Sequence, residues 1–143
     1  MLTRYFALAF GVVYLIIGIV GFIPALYTAP PASAPHLDVT TAYGYLFGIF
    51  PVNALHDILH IVVGIAGILC YGSLRSSQYF GRLLFVVFGL LTVAGFISST
   101  NTLGGLVPLF SGDTWLHAGT AILGAIFGWV TDVDEPLPEP VAA

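Results

Sequence analysis

The sequence predicts an all-α integral membrane protein, in which four transmembrane helices form an up-down-up-down bundle. Hydrophobic residues make up 58% of the 143 residues and charged residues only 7%, whereas soluble domains contain about 25% charged residues. The mean hydropathy is +1.01, so the chain lacks the polar residues that a soluble surface requires. Three basic residues provide no patch for nucleic acid, and a single cysteine excludes a disulfide framework.

Four apolar segments are long enough to cross a bilayer, which takes about 20 residues. They cover approximately residues 5–26, 52–71, 79–99 and 114–130. Each must be helical, because lipid offers no hydrogen-bond partners to an open strand. We expect a single membrane domain over residues 1–131, followed by an acidic, proline-rich tail over residues 132–143.

The three arginines predict the orientation in the membrane. Arg4 precedes the first segment, Arg75 and Arg82 flank the connection between the second and third, and the other two connections contain no Lys or Arg. The positive-inside rule then places both termini in the cytoplasm. We therefore expect a multi-pass protein of the bacterial inner membrane or of a thylakoid membrane.

The two halves of the chain resemble each other. Tyr5, Phe6, Gly21, Phe22 and Ile23 recur at an offset of 74 residues as Tyr79, Phe80, Gly95, Phe96 and Ile97. The second segments match at an offset of 57, where Pro51, His60 and Gly67 correspond to Pro108, His117 and Gly124. These matches predict two parallel repeats of a helical hairpin, over about 4–71 and 78–130, related by a pseudo-twofold axis along the membrane normal.

Two apolar runs, residues 43–51 and 103–110, precede the second and fourth helices. They are too apolar for ordinary loops and too short to span a bilayer. We predict that they are re-entrant or interfacial segments that cover the outer end of the bundle.

Polar residues share one face of the second and fourth helices near this outer end. Helical spacing aligns Asn53, His56 and His60 with Gly64 and Gly67 on the second helix. It aligns Asp113 and His117 with Ala121, Gly124 and Gly128 on the fourth. We predict that these stripes face each other and form a polar cluster of Asn53, His56, His60, Asp113 and His117. Asp113 also has the sequence context of a helix N-cap.

Two interpretations of this cluster remain open. It is either a hydrogen-bond network that fixes helix register, or a ligand site. In a ligand site, His60 and His117 would bind a haem, or a histidine would bind a chlorophyll. The alternative is a divalent metal held by His56, His60, His117 and Asp113.

The segment Phe50-Pro51-Val52-Asn53, followed by His56 and His60, has the pattern F-P-V-N-x-x-H-x-x-x-H. Together with the Gly-Phe-Ile-Pro end of the first helix, it resembles an uncharacterised bacterial family of four-helix integral membrane proteins, a domain of unknown function. The resemblance covers nearly the whole chain and implies a four-span inner-membrane protein. It implies no activity and no catalytic residue.

His56-Asp57-Ile58-Leu59-His60 is also similar to the H-E-x-x-H zinc motif, in which an acid between two histidines activates water. Asp57 is shorter than Glu, and the family that the chain resembles commonly has Asn at this position. The resemblance therefore supplies no general base for an intramembrane hydrolase.

We expect a non-enzymatic protein in contact with the lipid bilayer. It would act as an accessory or assembly subunit, or as a lipid- or cofactor-binding bundle, packed against other membrane subunits or a second copy. The alternative is an electron-transfer protein that holds haem or metal on His60 and His117. A small transporter ranks lower, because the polar groups lie near the outer surface and not at the midplane.

Overall fold

The computed structural model describes residues 1–131, and these are mostly helical. The four α-helices of this part are α1 (Leu2–Val20), α2 (Ala54–Cys70), α3 (Leu74–Phe96) and α4 (Gly112–Ala125). A 3-10 turn, Pro24–Leu26, follows α1, and a π-helical turn, Ile126–Val130, extends α4. The predicted acidic tail lies outside the described residues.

Two of these helices, α1 and α3, are long and apolar enough to cross a membrane. The outward faces of all four helices carry exposed aliphatic side chains, as Ile16, Val62, Leu90 and Ile122 illustrate. Soluble monomers rarely expose apolar surface on this scale. The protein is therefore membrane-associated.

Helix ends differ from the predicted segments where a local cap decides them. The third helix begins at Leu74, five residues before its predicted start, because the Ser73 hydroxyl accepts a hydrogen bond of 3.1 Å from the Ser76 amide. The connection from α2 is thus a tight turn over residues 71–73. Arg75 consequently lies in the first turn of α3, and Arg82 lies two turns into it.

Glycines set the close approach of α1 to α2 and of α3 to α4. A Cβ added to Gly67 would lie 2.7 Å from the Cα of Gly11, and one added to Gly124 would lie 2.7 Å from the carbonyl oxygen of Gly81. Backbones approach this closely only at small residues. We predicted that the stripes of polar and small residues on α2 and α4 face each other. For their glycines this is wrong, because Gly67 and Gly124 pack on the preceding helix of their own hairpin.

The core lies between the two hairpins. Its buried side chains are Phe6, Ala7, Tyr14, Phe80, Leu84, Phe88 and Ala121. The ring of Phe6 stacks on that of Phe127 with centroids 4.3 Å apart. The Tyr14 hydroxyl hydrogen-bonds the Thr120 hydroxyl at 2.6 Å, which joins α1 to α4.

Two arginines close one end of the bundle. Arg4 Nε donates to the Tyr71 carbonyl and Arg82 Nε donates to the Gly128 carbonyl, each at 2.8 Å. The Tyr71 carbonyl lies at the C-cap of α2 and the Gly128 carbonyl lies in the π-helical extension of α4, where helices leave acceptors unpaired. Each guanidinium also lies over a ring, Arg4 over Tyr71 and Arg82 over Trp129.

The opposite end carries a small antiparallel sheet, which the sequence did not predict, on an otherwise mostly helical fold. Its strands, in the order β1-β2-β3, are Tyr27–Thr28, Gly44–Leu46 and Phe50–Val52. The predicted interfacial run 43–51 forms the β2–β3 hairpin, which turns at Phe47 and Gly48 with φ of 52° and 72°. Strands of two or three residues are too short to show an alternating pattern in the sequence. The run 103–110 forms turns and irregular coil.

Candidate functional site

Four of the five residues predicted for the polar cluster come together between α2 and α4. One ring nitrogen from each of His56, His60 and His117 lies within 4.8 Å of the other two. The Asp113 carboxylate lies 3.7 Å from His56 Nε2 and 3.4 Å from His117 Nε2. Because His56 and His60 are one turn apart on α2, and Asp113 and His117 one turn apart on α4, both pairs point to the same place.

The cluster is closed to solvent, and most of its polar side-chain atoms have no hydrogen-bond partner among the described residues. None of the four residues is more than 3% exposed. Among the described residues, no hydrogen-bond partner reaches Nδ1 of the three histidines, Nε2 of His60 or either oxygen of Asp113. Such groups are nearly always paired in proteins, and each unpaired one costs about 1–3 kcal/mol. The separations of 3.4 and 3.7 Å exceed ordinary hydrogen-bond lengths, so these residues do not satisfy one another.

The fifth predicted member, Asn53, has a different role. Its Oδ1 accepts from the His56 amide at 3.0 Å, while its Nδ2 donates to the carbonyls of Val39 and Leu106 at 2.9 and 2.8 Å. The placement of Asn53 in the cluster is therefore corrected. It precedes α2 with extended backbone, φ −146°, so helical spacing does not apply to it. Asn53 caps α2. It also holds together the connection between α1 and α2, through Val39, and the connection between α3 and α4, through Leu106.

The N-cap prediction for Asp113 is also wrong. Helix α4 begins at Gly112, after Ser111 with φ of 62°, so Asp113 lies inside the first turn and faces the histidines. The Thr114 hydroxyl donates to the Leu109 carbonyl at 2.5 Å, and this bond fixes the start of α4.

Two aromatic rings that the sequence reasoning missed enclose the cluster. Tyr14 meets His60 edge-on with ring centroids 5.2 Å apart, and Phe88 meets His117 in the same way at 5.0 Å. A signal was available, because the offset of 74 pairs Tyr14 with Phe88 just as the offset of 57 pairs His60 with His117. These rings limit the rotation of the imidazoles that they contact.

A cavity lies on each side of the cluster. The first, of about 110 Å³, lies between α2, α3 and the connection from α3 to α4, and His56, His60 and His117 contribute to its lining. The second, of about 90 Å³, lies between α1, α4 and the β2–β3 hairpin and is reached by His60 and Asp113. Aliphatic and aromatic side chains form the remaining walls of both.

Asp57 is not part of this arrangement. It is fully buried, and neither carboxylate oxygen has a hydrogen-bond partner among the described residues. Its side chain packs against Gly21 at the end of α1, where an added Cβ would clash with the carboxylate. Asp57 therefore faces α1 and lines neither cavity, which removes it from any role like that of the acid in the zinc motif.

Comparison with known proteins adds a family and one partial relative. The family model "Domain of unknown function (DUF4383)" matches residues 4–130. The Probable potassium transport system protein Kup 2 of Rhodopseudomonas palustris (strain ATCC BAA-98 / CGA009) is 34% identical over 80 residues. That match spans 52% of this chain but only 13% of the relative's length. No solved structure matches.

Proposed function

The chain belongs to this family of unknown function, and from that premise we propose that it is a membrane metal-binding protein with a site formed by His56, His60, His117 and Asp113. The observation that supports the proposal is the convergence of three buried imidazoles, each with one nitrogen within 4.8 Å of the others. Among the described residues, both nitrogens of His60 and Nδ1 of His56 and His117 have no hydrogen-bond partner. A single metal ion would satisfy all three at once.

The donor set favours a transition metal. Imidazole suits zinc, copper, iron and nickel, whereas magnesium and calcium prefer oxygen ligands. Zinc binds imidazole nitrogen at about 2.0–2.1 Å, so small ring rotations would bring the three histidines onto one ion. The Asp113 carboxylate beside two of them would offset part of the ion's charge, which is costly to bury in a bilayer.

The same geometry argues against the other ligands considered. The larger cavity, about 110 Å³, is smaller than the cavity of about 150 Å³ that holds a benzene molecule, so a haem or chlorophyll ring would have to separate the helices. Potassium filters use rings of carbonyl oxygens, and the cluster offers mainly imidazole nitrogens. The potassium transport named for the partial relative is therefore not proposed for this chain.

We also propose that all four helices span the membrane, with both termini in the cytoplasm. With its π-helical turn, α4 extends from Gly112 to Val130. Arg4 and Arg82 lie at the same end of the bundle, opposite the sheet, in agreement with the positive-inside rule. The orientation would place the metal site near the outer face.

A duplicated hairpin accounts for the paired contacts. Gly67 packs on Gly11 as Gly124 packs on Phe85 and Gly81, and Tyr14 contacts His60 as Phe88 contacts His117. Positions in the first helix of each hairpin correspond at 74 residues, and those in the second at 57. Recurrence of contacts at both offsets supports a common ancestry of the two hairpins.

Metal content of the purified full chain tests the proposal. We expect about one zinc, copper or iron ion per chain after gentle detergent extraction, and an absorption spectrum of tetrahedral or five-coordinate cobalt after Co²⁺ exchange. His60→Ala and His117→Ala should lose both signals. His36→Ala is the matched control, because the His36 side chain is 87% exposed. Wild-type protein that takes up neither native metal nor Co²⁺ would refute the metal site.

A further inference from the structure

We propose that the acidic tail, residues 132–143, docks on the end of the bundle that carries Arg4, Arg75 and Arg82, a surface called here the basic end. This interaction goes beyond the metal site and does not depend on it. It gives the basic end an occupant from the same chain, with which any other anion, such as a lipid headgroup, has to compete.

Opposite charges are separated along the described part of the bundle. Asp57 and Asp113 lie in the first turns of α2 and α4. Asp38 lies in the connection that contains the sheet, and its amide donates to the Gly105 carbonyl at 2.8 Å. These are all the acidic residues among residues 1–131, and the three arginines lie at the other end. The remaining acids of the chain belong to the tail, as Asp132, Asp134, Glu135 and Glu139.

The basic end concentrates positive charge. The guanidinium groups of Arg75 and Arg82 lie over the same ring, that of Tyr79, at 5.8 and 5.6 Å from its centroid. Arg4 and Arg82 each donate from Nε to a backbone carbonyl, which is a neutral acceptor, so these bonds do not cancel the charge. Like charges held close together repel one another, and an anionic segment relieves that repulsion.

The tail leaves the bundle at the basic end. The Thr131 hydroxyl hydrogen-bonds the Thr3 hydroxyl at 2.8 Å. Thr3 is fully buried and directly precedes Arg4. Thr131 also lies three residues after Gly128, whose carbonyl binds a second arginine. Asp132, the first acid of the tail, therefore follows a residue that is held close to two of the three arginines.

The tail is long enough to reach every arginine of the basic end. An extended chain covers about 3.3 Å per residue, so Asp132 and Glu139 can lie up to about 23 Å apart. Neighbouring helices pack about 8–10 Å apart, so this length crosses two of them. Pro136, Pro138 and Pro140 restrict the backbone and lower the entropy lost on docking. Single exposed ion pairs are weak, but a tethered segment meets its site at an effective concentration of about a millimolar.

The distance between two spin labels on the full chain tests the docking. One label is attached through Gly72→Cys, in the turn between α2 and α3, and the other through Ala142→Cys, with the native thiol removed by Cys70→Ser. In nanodiscs of zwitterionic lipid at low salt, we expect a narrow distribution of distances. About 1 M salt shortens the screening length to about 3 Å and should broaden the distribution at least about twofold.

Neutralising the tail makes the same test without added salt. The neutralised variant carries four substitutions, Asp132→Asn, Asp134→Asn, Glu135→Gln and Glu139→Gln. At low salt it should show the broad distribution that wild type shows at high salt. Leu137→Asn is the matched control, because it alters the same tail but keeps its four charges, and it should give the wild-type distribution. Arg75→Gln, at an exposed position of the basic end, should broaden the distribution from the other side.

Three results would overturn the proposal. The first is a neutralised variant with the wild-type distribution, or a wild type that is insensitive to salt. The second is a dipolar signal in a mixture of singly labelled chains, because the tail would then dock on a second copy. The third is a broad wild-type distribution in nanodiscs that contain phosphatidylglycerol, because lipid headgroups would then hold the arginines in place of the tail.

Discussion

Each hairpin brings its two helices together at glycines: Gly67 meets Gly11 in the α1–α2 hairpin, and Gly124 meets Gly81 in the α3–α4 hairpin. The aromatic contacts with His60 and His117 agree to within 0.2 Å in centroid distance, at 5.2 and 5.0 Å. These glycine and ring contacts therefore recur in both hairpins of the described chain.

The polar residues at corresponding positions differ. His56 in the first hairpin corresponds to Asp113 in the second, and Asp57 corresponds to Thr114. A Cβ added to Gly67 or Gly124 would lie 2.7 Å from the backbone of the facing helix, so these packing positions tolerate little change. At the positions that face the cluster, in contrast, the two hairpins carry different polar groups, so the contact glycines constrain packing while the cluster positions differ in chemistry.

The largest effect should come from Asn53, which has no polar counterpart, since Phe110 occupies the corresponding position. Asn53→Ala removes the cap of α2 and leaves the Val39 and Leu106 carbonyls without their donor. We expect a loss of about 2–4 kcal/mol in the free energy of unfolding. Thermal unfolding in micelles, followed by circular dichroism, measures this loss of stability. Asn101→Ala, in the connection between α3 and α4, is the control. A loss no greater than in that control would contradict the role of Asn53.

Substitution of the contact glycines should affect both hairpins alike. Gly67→Ala and Gly124→Ala each force a methyl group against backbone, and we expect each to cost about 1–3 kcal/mol. Gly89→Ala on α3 is the control, because an added Cβ there meets nothing within 4 Å. It should be neutral or stabilising by up to about 1 kcal/mol. Losses that differ markedly between Gly67 and Gly124 would show that the two hairpins do not share one packing frame.

Asp57 and Thr114 should respond with opposite signs. Asp57→Asn replaces a buried, unpartnered carboxylate by a neutral group of the same shape, and we expect a gain of about 1–2 kcal/mol. Thr114→Val removes the hydrogen bond to the Leu109 carbonyl and should cost about 1–2 kcal/mol. The same unfolding assay measures both. Destabilisation by Asp57→Asn would contradict this and show that the Asp57 carboxyl group makes a stabilising interaction that an amide cannot replace.

The smallest effect on stability should come from Tyr14, the ring that contacts His60 in the first hairpin as Phe88 contacts His117 in the second. Tyr14→Phe copies Phe88 and removes the hydrogen bond to Thr120 at a cost of about 0.5–1.5 kcal/mol. Metal content should stay at the wild-type value, because the ring that contacts His60 is retained. Loss of metal in this variant would assign the Tyr14 hydroxyl a direct part in binding.

Much of the cluster could be predicted from the sequence. The four-residue spacing of His56 and His60 places both on one helical face, and the offset of 57 identifies His117 as the counterpart of His60. The apolar composition likewise identified α1 and α3 as helices that can cross a membrane. Both signals are strong because helical periodicity and hydropathy extend over many residues.

The remaining details depend on contacts that the local sequence does not encode. Asn53 binds the carbonyls of Val39 and Leu106, which come from two separate connections. Asp113 faces inward because α4 starts one residue before it, and periodicity cannot fix a helix boundary to one residue. The three short strands pair through contacts between residues up to 19 positions apart, as between Tyr27 and Leu46.

The two arginine contacts have a consequence for topology engineering. Under the proposed topology, Arg4 and Arg82 carry two of the three basic charges that orient the chain. Their side chains also bind the Tyr71 carbonyl at the end of α2 and the Gly128 carbonyl in the α4 extension. Moving these charges to the other end of the bundle to invert the protein would therefore leave two helix ends without their donors. Lysine substitutes would keep the charge but lack the planar guanidinium that both donates and stacks. Under the proposed topology, the direction of insertion and the integrity of the helix ends therefore depend on the same side chains.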